Sequence, residues 1–257
     1  MSIITLCTDF GTSDSYAASM KGVILGINPS VSIIDATHDI PPHNIPFAAF
    51  VLNGYYRYFP KGTVHIAVVD PGVGGPRLGI VVKTKDHVFV GPDNGVFSYV
   101  LMDNPAQCYE INTRQGLSSE PSATFHGRDV FAPAAARMSL GWDSSLLGAQ
   151  IKRPVVLDIH KPRAGASCIT GEVIHIDHFG NIITNVHSDM IPADKKPDIV
   201  VKRFKIKGIK DMYEQCAWNK PCALINSLNL LEIAVSSGSA HGKLGVNIGD
   251  KVKITWE

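Results

Sequence analysis

The sequence predicts an α/β fold: an N-terminal domain with a largely parallel sheet and helices on both faces, then a small C-terminal β-barrel. Two observations predict it. Apolar runs of strand length alternate with helical periodicity as far as residue 152, and βαβα order implies parallel strands. Beyond residue 166 the texture changes to short alternating strands separated by Gly, Asn and Asp, as in a small antiparallel barrel or sandwich.

In chain order, residues 3–8 read as a strand. Residues 16–27 read as a helix that places Tyr16, Met20, Val23, Ile24 and Ile27 on one face. A strand over 31–34, a helix over 45–59 and a strand over 63–69 follow. Residues 78–84 and 87–90 read as two further strands, and 95–102 and 132–140 as helices, the latter stopped by Gly141. Residues 153–166, with Lys152-Arg153-Pro154 and Lys161-Pro162-Arg163-Ala164-Gly165, read as an exposed linker between domains 1–152 and 167–257. The second domain has predicted strands at 169–176, 182–186, 199–206, 223–225, 230–235 and 251–256. The basic run Lys202-Arg203-Phe204-Lys205-Ile206-Lys207 reads as the solvent face of the 199–206 strand.

Composition narrows the function classes. The 257 residues are 45% hydrophobic and 18% charged, as in a compact globular chain able to bury a core. A net charge of +1 offers no field for nucleic acid or an acidic membrane surface. No apolar run approaches the roughly 18 residues of a membrane span. The 5 cysteines include no CxxC pair, and no signal peptide precedes the first strand. The expectation is a reduced cytoplasmic protein with buried, unpaired thiols.

The richest segment is Val68-Val69-Asp70-Pro71-Gly72-Val73-Gly74-Gly75-Pro76-Arg77. An apolar strand ends on an acid, and the chain turns through small residues that let backbone approach a ligand. Asp70 and Arg77 flank the loop and are placed to pair across its mouth. Asp9, Asp35 and Asp93 stand in the same way at the ends of other strands, where parallel sheets bind ligands. Each alone reads as a cap or turn residue; together they mark a site. Two chemistries compete for it. With His38 and His43 the acids would hold a hard divalent metal for phosphate-ester hydrolysis. Alternatively a single acid such as Asp9 would accept both hydroxyls of a ribose. The glycine loop leads into a strand, not a helix, which argues against a phosphorylated nucleotide.

Three further segments are candidates. In Ala123-Thr124-Phe125-His126-Gly127-Arg128-Asp129, His126 sits in a small-residue turn before a helix, as a working imidazole or as a plain surface histidine. Arg128 and Asp129 read as a structural pair. Asp177-His178-Phe179-Gly180-Asn181 is a polar turn in which a flat ring beside amide and carboxylate groups suits a nucleobase. Asn226-Ser227 and Glu232 lie in or beside a second hairpin.

Taken in order, Thr8-Asp9-Phe10-Gly11, Asp70-Pro71-Gly72-Val73-Gly74 with Arg77, Phe125-His126-Gly127-Arg128-Asp129, Asp177-His178-Phe179-Gly180-Asn181 and Asn226-Ser227 followed by Glu232-Ile233-Ala234-Val235 resemble one family. They are similar to the S-adenosyl-L-methionine (SAM) hydrolases, or SAM hydroxide adenosyltransferases, relatives of fluorinase and chlorinase. The resemblance spans nearly the whole chain. It implies an N-terminal α/β domain, a C-terminal β-barrel and a homotrimer that holds SAM between the N-terminal domain of one subunit and the C-terminal domain of its neighbour. By the same resemblance Asp9 takes the ribose hydroxyls, Asp177, Phe179 and Asn181 surround the adenine and amino-acid ends, and Tyr213 stacks on the base. Asn226, Ser227, Glu232 and the Val235 backbone complete the pocket, with Asp14 and Tyr16 at the methionine end.

The family's Asp–Arg–His trio maps onto Asp70, Arg77 and His126. The extra loop of fluorinases is absent, since the chain runs directly through residues 83–88. Leu228-Asn229 stands where relatives carry an aromatic residue and Gly. The implied reaction is attack of water on C5′ with SAM as substrate, needing no cofactor or metal. Arg77 would stabilise hydroxide and Asp70 would hold Arg77, with His126 as general base. The competing expectations are a metal-dependent nucleotide or phosphate-ester hydrolase and a non-catalytic SAM- or adenosine-binding regulator.

Overall fold

A computed structural model of the chain describes residues 2–112 and 121–257. It divides into two compact units, Met1–Asp158 and Ile159–Glu257.

The first unit contains β1 (Ile3–Thr8), α1 (Tyr16–Ile27), β2 (Ser32–Thr37), α2 (Ile45–Tyr55), β3 (Val64–Val68), β4 (Gly79–Lys83), β5 (Val88–Pro92), α3 (Ser98–Asp103), β6 (Gln107–Glu110), α4 (Ala132–Ser139) and β7 (Gln150–Ile151). Its sheet has the order β2-β1-β3-β5-β4-β6-β7. The pairs β1/β2, β1/β3 and β3/β5 are parallel, while β4 runs against both β5 and β6, and β7 against β6. The sheet is therefore mixed, with β4 and β7 reversed. The reversal at β4 follows from its connection to β5, which is too short for a parallel crossover.

Both faces of the sheet are covered. Ile4, Leu6, Ile66 and Val68 pack with Met20 and Ile24 of α1 and with the alanines of α4. Cys7, Ala67, Val69 and Phe89 face the other way, against Ala48 and Leu52 of α2 and Val100 of α3. Consecutive residues of β3 thus serve opposite cores, so a strand buried on both sides reads as an unbroken apolar run. α1 buries Ala17, Met20 and Ile24. Tyr16, expected on that face, is 46% exposed and instead meets the rings of Phe10 and Phe125.

The second unit contains β8 (Arg163–Ala164), β9 (Cys168–Ile176), β10 (Ile182–His187), β11 (Asp198–Val201), β12 (Phe204–Lys207), β13 (Pro221–Ile225), β14 (Leu230–Val235), α5 (Ala240–Leu244) and β15 (Lys251–Thr255). The antiparallel order β12-β11-β15-β9-β10-β14-β13 curls almost into a barrel, and Lys210 N–H donates to Ala223 O at 2.8 Å beside its open seam. Ile169, Val173, Ile199, Ile233, Val252 and Ile254 fill the interior.

Three sequence expectations change here. The strand expected at 199–206 is a hairpin, β11 and β12, in which Val201 pairs with Phe204 around a two-residue loop. Lys202 takes φ +49° there, so Lys202 and Arg203 form the turn, while Lys205 and Lys207 line the exposed face of β12 on either side of buried Ile206. Arg163–Ala164, expected within the linker, pairs with β9 as β8. The cysteines are not all unpaired: Cys216 and Cys222 form a disulfide, their Cα atoms brought to 5.8 Å by the turn that leads into β13. Cys7 and Cys108 are buried free thiols, and Cys168 is free and half-buried. Among the described residues, no helix is long and apolar enough to cross a membrane.

Candidate active site

Two cavities gather nearly all the candidate side chains, one in each unit. The first, of about 270 Å³, lies at the strand ends of the first unit and is lined by Asp9, Tyr16, His43, Asp70, Phe125 and His126, among others. Asp9 and Asp70 follow β1 and β3, adjacent parallel strands that end side by side. The other two strand-end acids are used elsewhere. Asp35 accepts from Lys21 Nζ at 2.6 Å, and Asp93 accepts from Val155 N–H at 2.8 Å. Asp14 is exposed and does not line this cavity.

Asp70, Arg77 and His126 form one bonded unit. Arg77 Nε donates to Asp70 Oδ1 at 2.9 Å, and Nη2 donates to Asp70 Oδ2 in a two-pronged pair. The same Nη2 contacts His126 Nδ1 at 2.7 Å. A guanidinium only donates, so Nδ1 must accept and the ring proton sits on Nε2. Burial, and then the Arg77 charge, hold the His126 pKa below its ordinary 6.5, against the opposing pull of Asp70 and Asp129. The imidazole is therefore neutral at pH 7, with one nitrogen engaged and the other protonated. For His126 to act as the expected general base, Nδ1 would have to give up Arg77. Within the trio, Asp70 is the acceptor with spare lone pairs.

Local structure delivers these groups. Gly74 adopts φ +75°, and a Cβ there would collide with the carbonyl oxygen of Ala123, so the glycine loop packs directly on the segment that leads to His126. His126 precedes a single π-helical turn over Gly127–Phe131, an irregularity often found at functional sites. Arg128 and Asp129 pair at 2.6 Å as expected of a structural couple, and Asp129 also accepts from Ser122 N–H. Phe10, Tyr16 and Phe125 build an aromatic wall with ring centroids 5.1–5.9 Å apart. Sequence reading assigned Phe10 and Phe125 no role; their position beside Asp9 and His126 was the available signal.

The second cavity, of about 1150 Å³, is lined by Asp177, Phe179, Asn181, Tyr213, Asn226, Ser227, Glu232 and Val235, with Leu228 at its edge. Asp177 spends its carboxylate on its own loop: it accepts from Phe179 N–H and Asn181 N–H at 2.9 and 2.8 Å and from Asn181 Nδ2 at 2.9 Å. Gly180, at φ +83°, closes that turn against Ser239. The result is a rigid loop that leaves Phe179 75% exposed, a flat apolar face suited to a planar ligand. Tyr213 OH donates to Glu232 Oε1 at 2.6 Å. Burial, and also Asp177, push the Glu232 carboxyl up from its ordinary 4.5, although Tyr213 and Asn226 stabilise its charge. Asn226 Oδ1 accepts from Leu228 N–H and Leu230 N–H, which fixes the hairpin carrying Ser227.

The metal reading fares less well on geometry. His38 is buried against Thr8 and Asp35, and does not line the cavity beside His43. Among the described residues, no three His, Cys, Asp or Glu side chains converge as a metal-binding group.

Both units have known relatives. The chain matches the SAM hydroxide adenosyltransferase N-terminal domain over residues 4–148 and the corresponding C-terminal domain over residues 171–253. It is 38% identical to an (R)-S-adenosyl-L-methionine hydrolase of Methanocaldococcus jannaschii, over 100% of this chain and 97% of that one. It is 25% identical to a fluorinase of an Actinoplanes species, over 72% of each chain. A crystal structure described as an uncharacterised conserved protein from Thermotoga maritima superposes with a TM-score of 0.90 at 37% identity, covering 98% of this chain and 99% of that one.

Proposed function

The chain belongs to the SAM hydroxide adenosyltransferase family, and we propose on that premise that it hydrolyses SAM to adenosine and L-methionine. The observation that carries the reading is the bonded Asp70–Arg77–His126 unit beside Asp9.

The sulfonium of SAM expels neutral methionine, so no acid is needed at the leaving group and the reaction draws on no cofactor or metal. The enzyme's task is to hold a water in line with C5′ and sulfur, worth several kcal/mol of barrier, and to receive a proton. Arg77 keeps its charge throughout and stabilises hydroxide character on the water. His126 fixes the Arg77 fork and keeps Nε2–H as its remaining donor. Asp70 takes the proton. The newly alkylated oxygen is a far stronger acid than a carboxylic acid, so even an arginine-paired carboxylate is basic enough to accept from it.

Asp9 accepts the ribose hydroxyls, Phe179 and Tyr213 hold the adenine, and Asn181, Asn226, Ser227, Glu232 and the Val235 backbone serve the remaining polar groups. Asp14 and Tyr16 are assigned to the methionine end; for Tyr16 its place in the aromatic wall supports this. The two half-sites belong to neighbouring subunits of a homotrimer, and the enzyme works in the cytoplasm on a small molecule, without nucleic acid or membrane.

The relative's name specifies the R form, and we assign the same preference here. The test is incubation with each sulfur epimer of SAM in excess EDTA, followed by chromatography. Equal adenosine and methionine, formed faster from the R epimer, are expected. Intact SAM of both epimers would overturn the reading.

A further inference from the structure

Behind Asp9 lies a buried polar network that the reaction scheme does not use. Thr8 is fully buried and His38 is 5% exposed. Thr8 Oγ1 and His38 Nδ1 share a hydrogen bond of 2.7 Å, and Phe10 N–H donates to the same hydroxyl at 3.3 Å. On the far side of the ring, His38 Nε2 sits 3.0 Å from Asp35 Oδ1, off the axis of a full hydrogen bond, while Lys21 holds the other oxygen of Asp35. Main-chain bonds run alongside: Gly11 N–H to His38 O at 2.8 Å and Ile40 N–H to Thr8 O at 3.3 Å.

This network staples the loop after β1 to the loop after β2. At the end of the second loop, His43 donates its backbone N–H to Asp9 Oδ2 at 2.9 Å from a left-handed conformation, φ +65°. Asp9 is thus set from two sides, by its neighbour Thr8 and by a loop that hangs from His38. The β1–β2 register also slips by one residue between the Leu6–Asp35 and Cys7–Thr37 pairs. Such a bulge beside a site re-aims the side chains that follow it, here His38. Burying an imidazole and a hydroxyl together is costly unless their bond fixes one geometry, and the half-exposed Asp35 meets the ring from the solvent side.

We propose that His38 is a positioning residue for Asp9, its ring held by Thr8 and Asp35, so that one carboxylate oxygen is locked and the other is aimed at the ribose. The proposal rests on Asp9 as the ribose acceptor.

The test compares SAM with its 2′-deoxyribose analogue as substrates for the full-length enzyme. In the wild type, loss of a hydroxyl bound to a carboxylate should lower kcat/KM by about 10–100-fold. In His38→Phe that ratio should collapse to within about threefold of unity, through a raised KM for SAM with kcat less affected. His38→Asn, whose amide oxygen can take the place of Nδ1, should restore most of it. Should His38→Phe fail to fold, Thr8→Val carries the same expectation. A folded His38→Phe or Thr8→Val enzyme that keeps the wild-type ratio would overturn the proposal. An Asp9→Asn enzyme that keeps it, or a wild-type ratio near unity, would instead overturn the ribose role of Asp9 on which the proposal stands.

Discussion

Because a guanidinium carries donors alone, the 2.7 Å contact from Arg77 Nη2 to His126 Nδ1 fixes the imidazole tautomer, which is the ground for the proposed proton-accepting role of Asp70. The His126 pKa lies below its ordinary 6.5, by burial and then by the Arg77 charge. Protonation at Nδ1 would sever the Arg77 contact. Turnover should therefore stay level from pH 8 down past 6.5 and fall only in more acid solution; a midpoint at or above 6.5 in the kcat profile would contradict the assignment. Asp70→Asn should lower kcat by about 10²–10⁴-fold while SAM affinity, measured by calorimetry, changes little. Glu232 behaves differently. Its folded pKa is raised, so the ionised form costs stability above that value, and the cost vanishes below the unfolded value of 4.5. Glu232→Gln keeps the acceptor for Tyr213 and should raise the melting temperature of the free protein at pH 8, with little effect at pH 4.

At the scale of elements, strands and helices were legible where one pattern dominated. The strand Ile3–Thr8 and the helix Tyr16–Ile27 match the sequence expectation because apolar spacing and flanking polar residues agree there. Boundaries are hidden where two elements share one alternating run. Residues 199–206 alternate like a single strand, and nothing local reveals that Lys202 turns the chain with positive φ. The disulfide was hidden for a related reason: Cys216 and Cys222 have no motif spacing and meet only through the turn between them. Motif residues were recoverable because each sits at a strand end or hairpin, yet the chemistry of His126 was not, since its tautomer depends on a residue 49 positions away. The glycine loop is the element most sensitive to change. Gly74→Ala combines an unfavourable φ with a collision at Ala123, and should cost about 1–3 kcal/mol in urea unfolding while lowering kcat through displacement of His126.

At the scale of the whole molecule, the candidate residues divide between two units, Met1–Asp158 with Asp9 and the trio, and Ile159–Glu257 with Phe179, Tyr213 and Glu232. The proposed trimer makes each active site from two chains, and this predicts complementation. Arg77→Ala and Phe179→Ala enzymes, each inactive alone, should regain about one quarter of wild-type activity when unfolded together at equal amounts and refolded, because random assembly pairs two intact halves at one interface in four. No recovery despite mixed oligomers would place the complete site within a single chain.

If water displaces methionine at C5′ of SAM, the 5′-oxygen of the released adenosine comes from solvent. The most direct measurement is turnover in ¹⁸O-labelled water with mass spectrometry of the adenosine. One ¹⁸O on the 5′-oxygen of every adenosine released is expected, matched by an equal amount of unlabelled methionine. Adenosine without the label, or label recovered in any product other than adenosine, would contradict it.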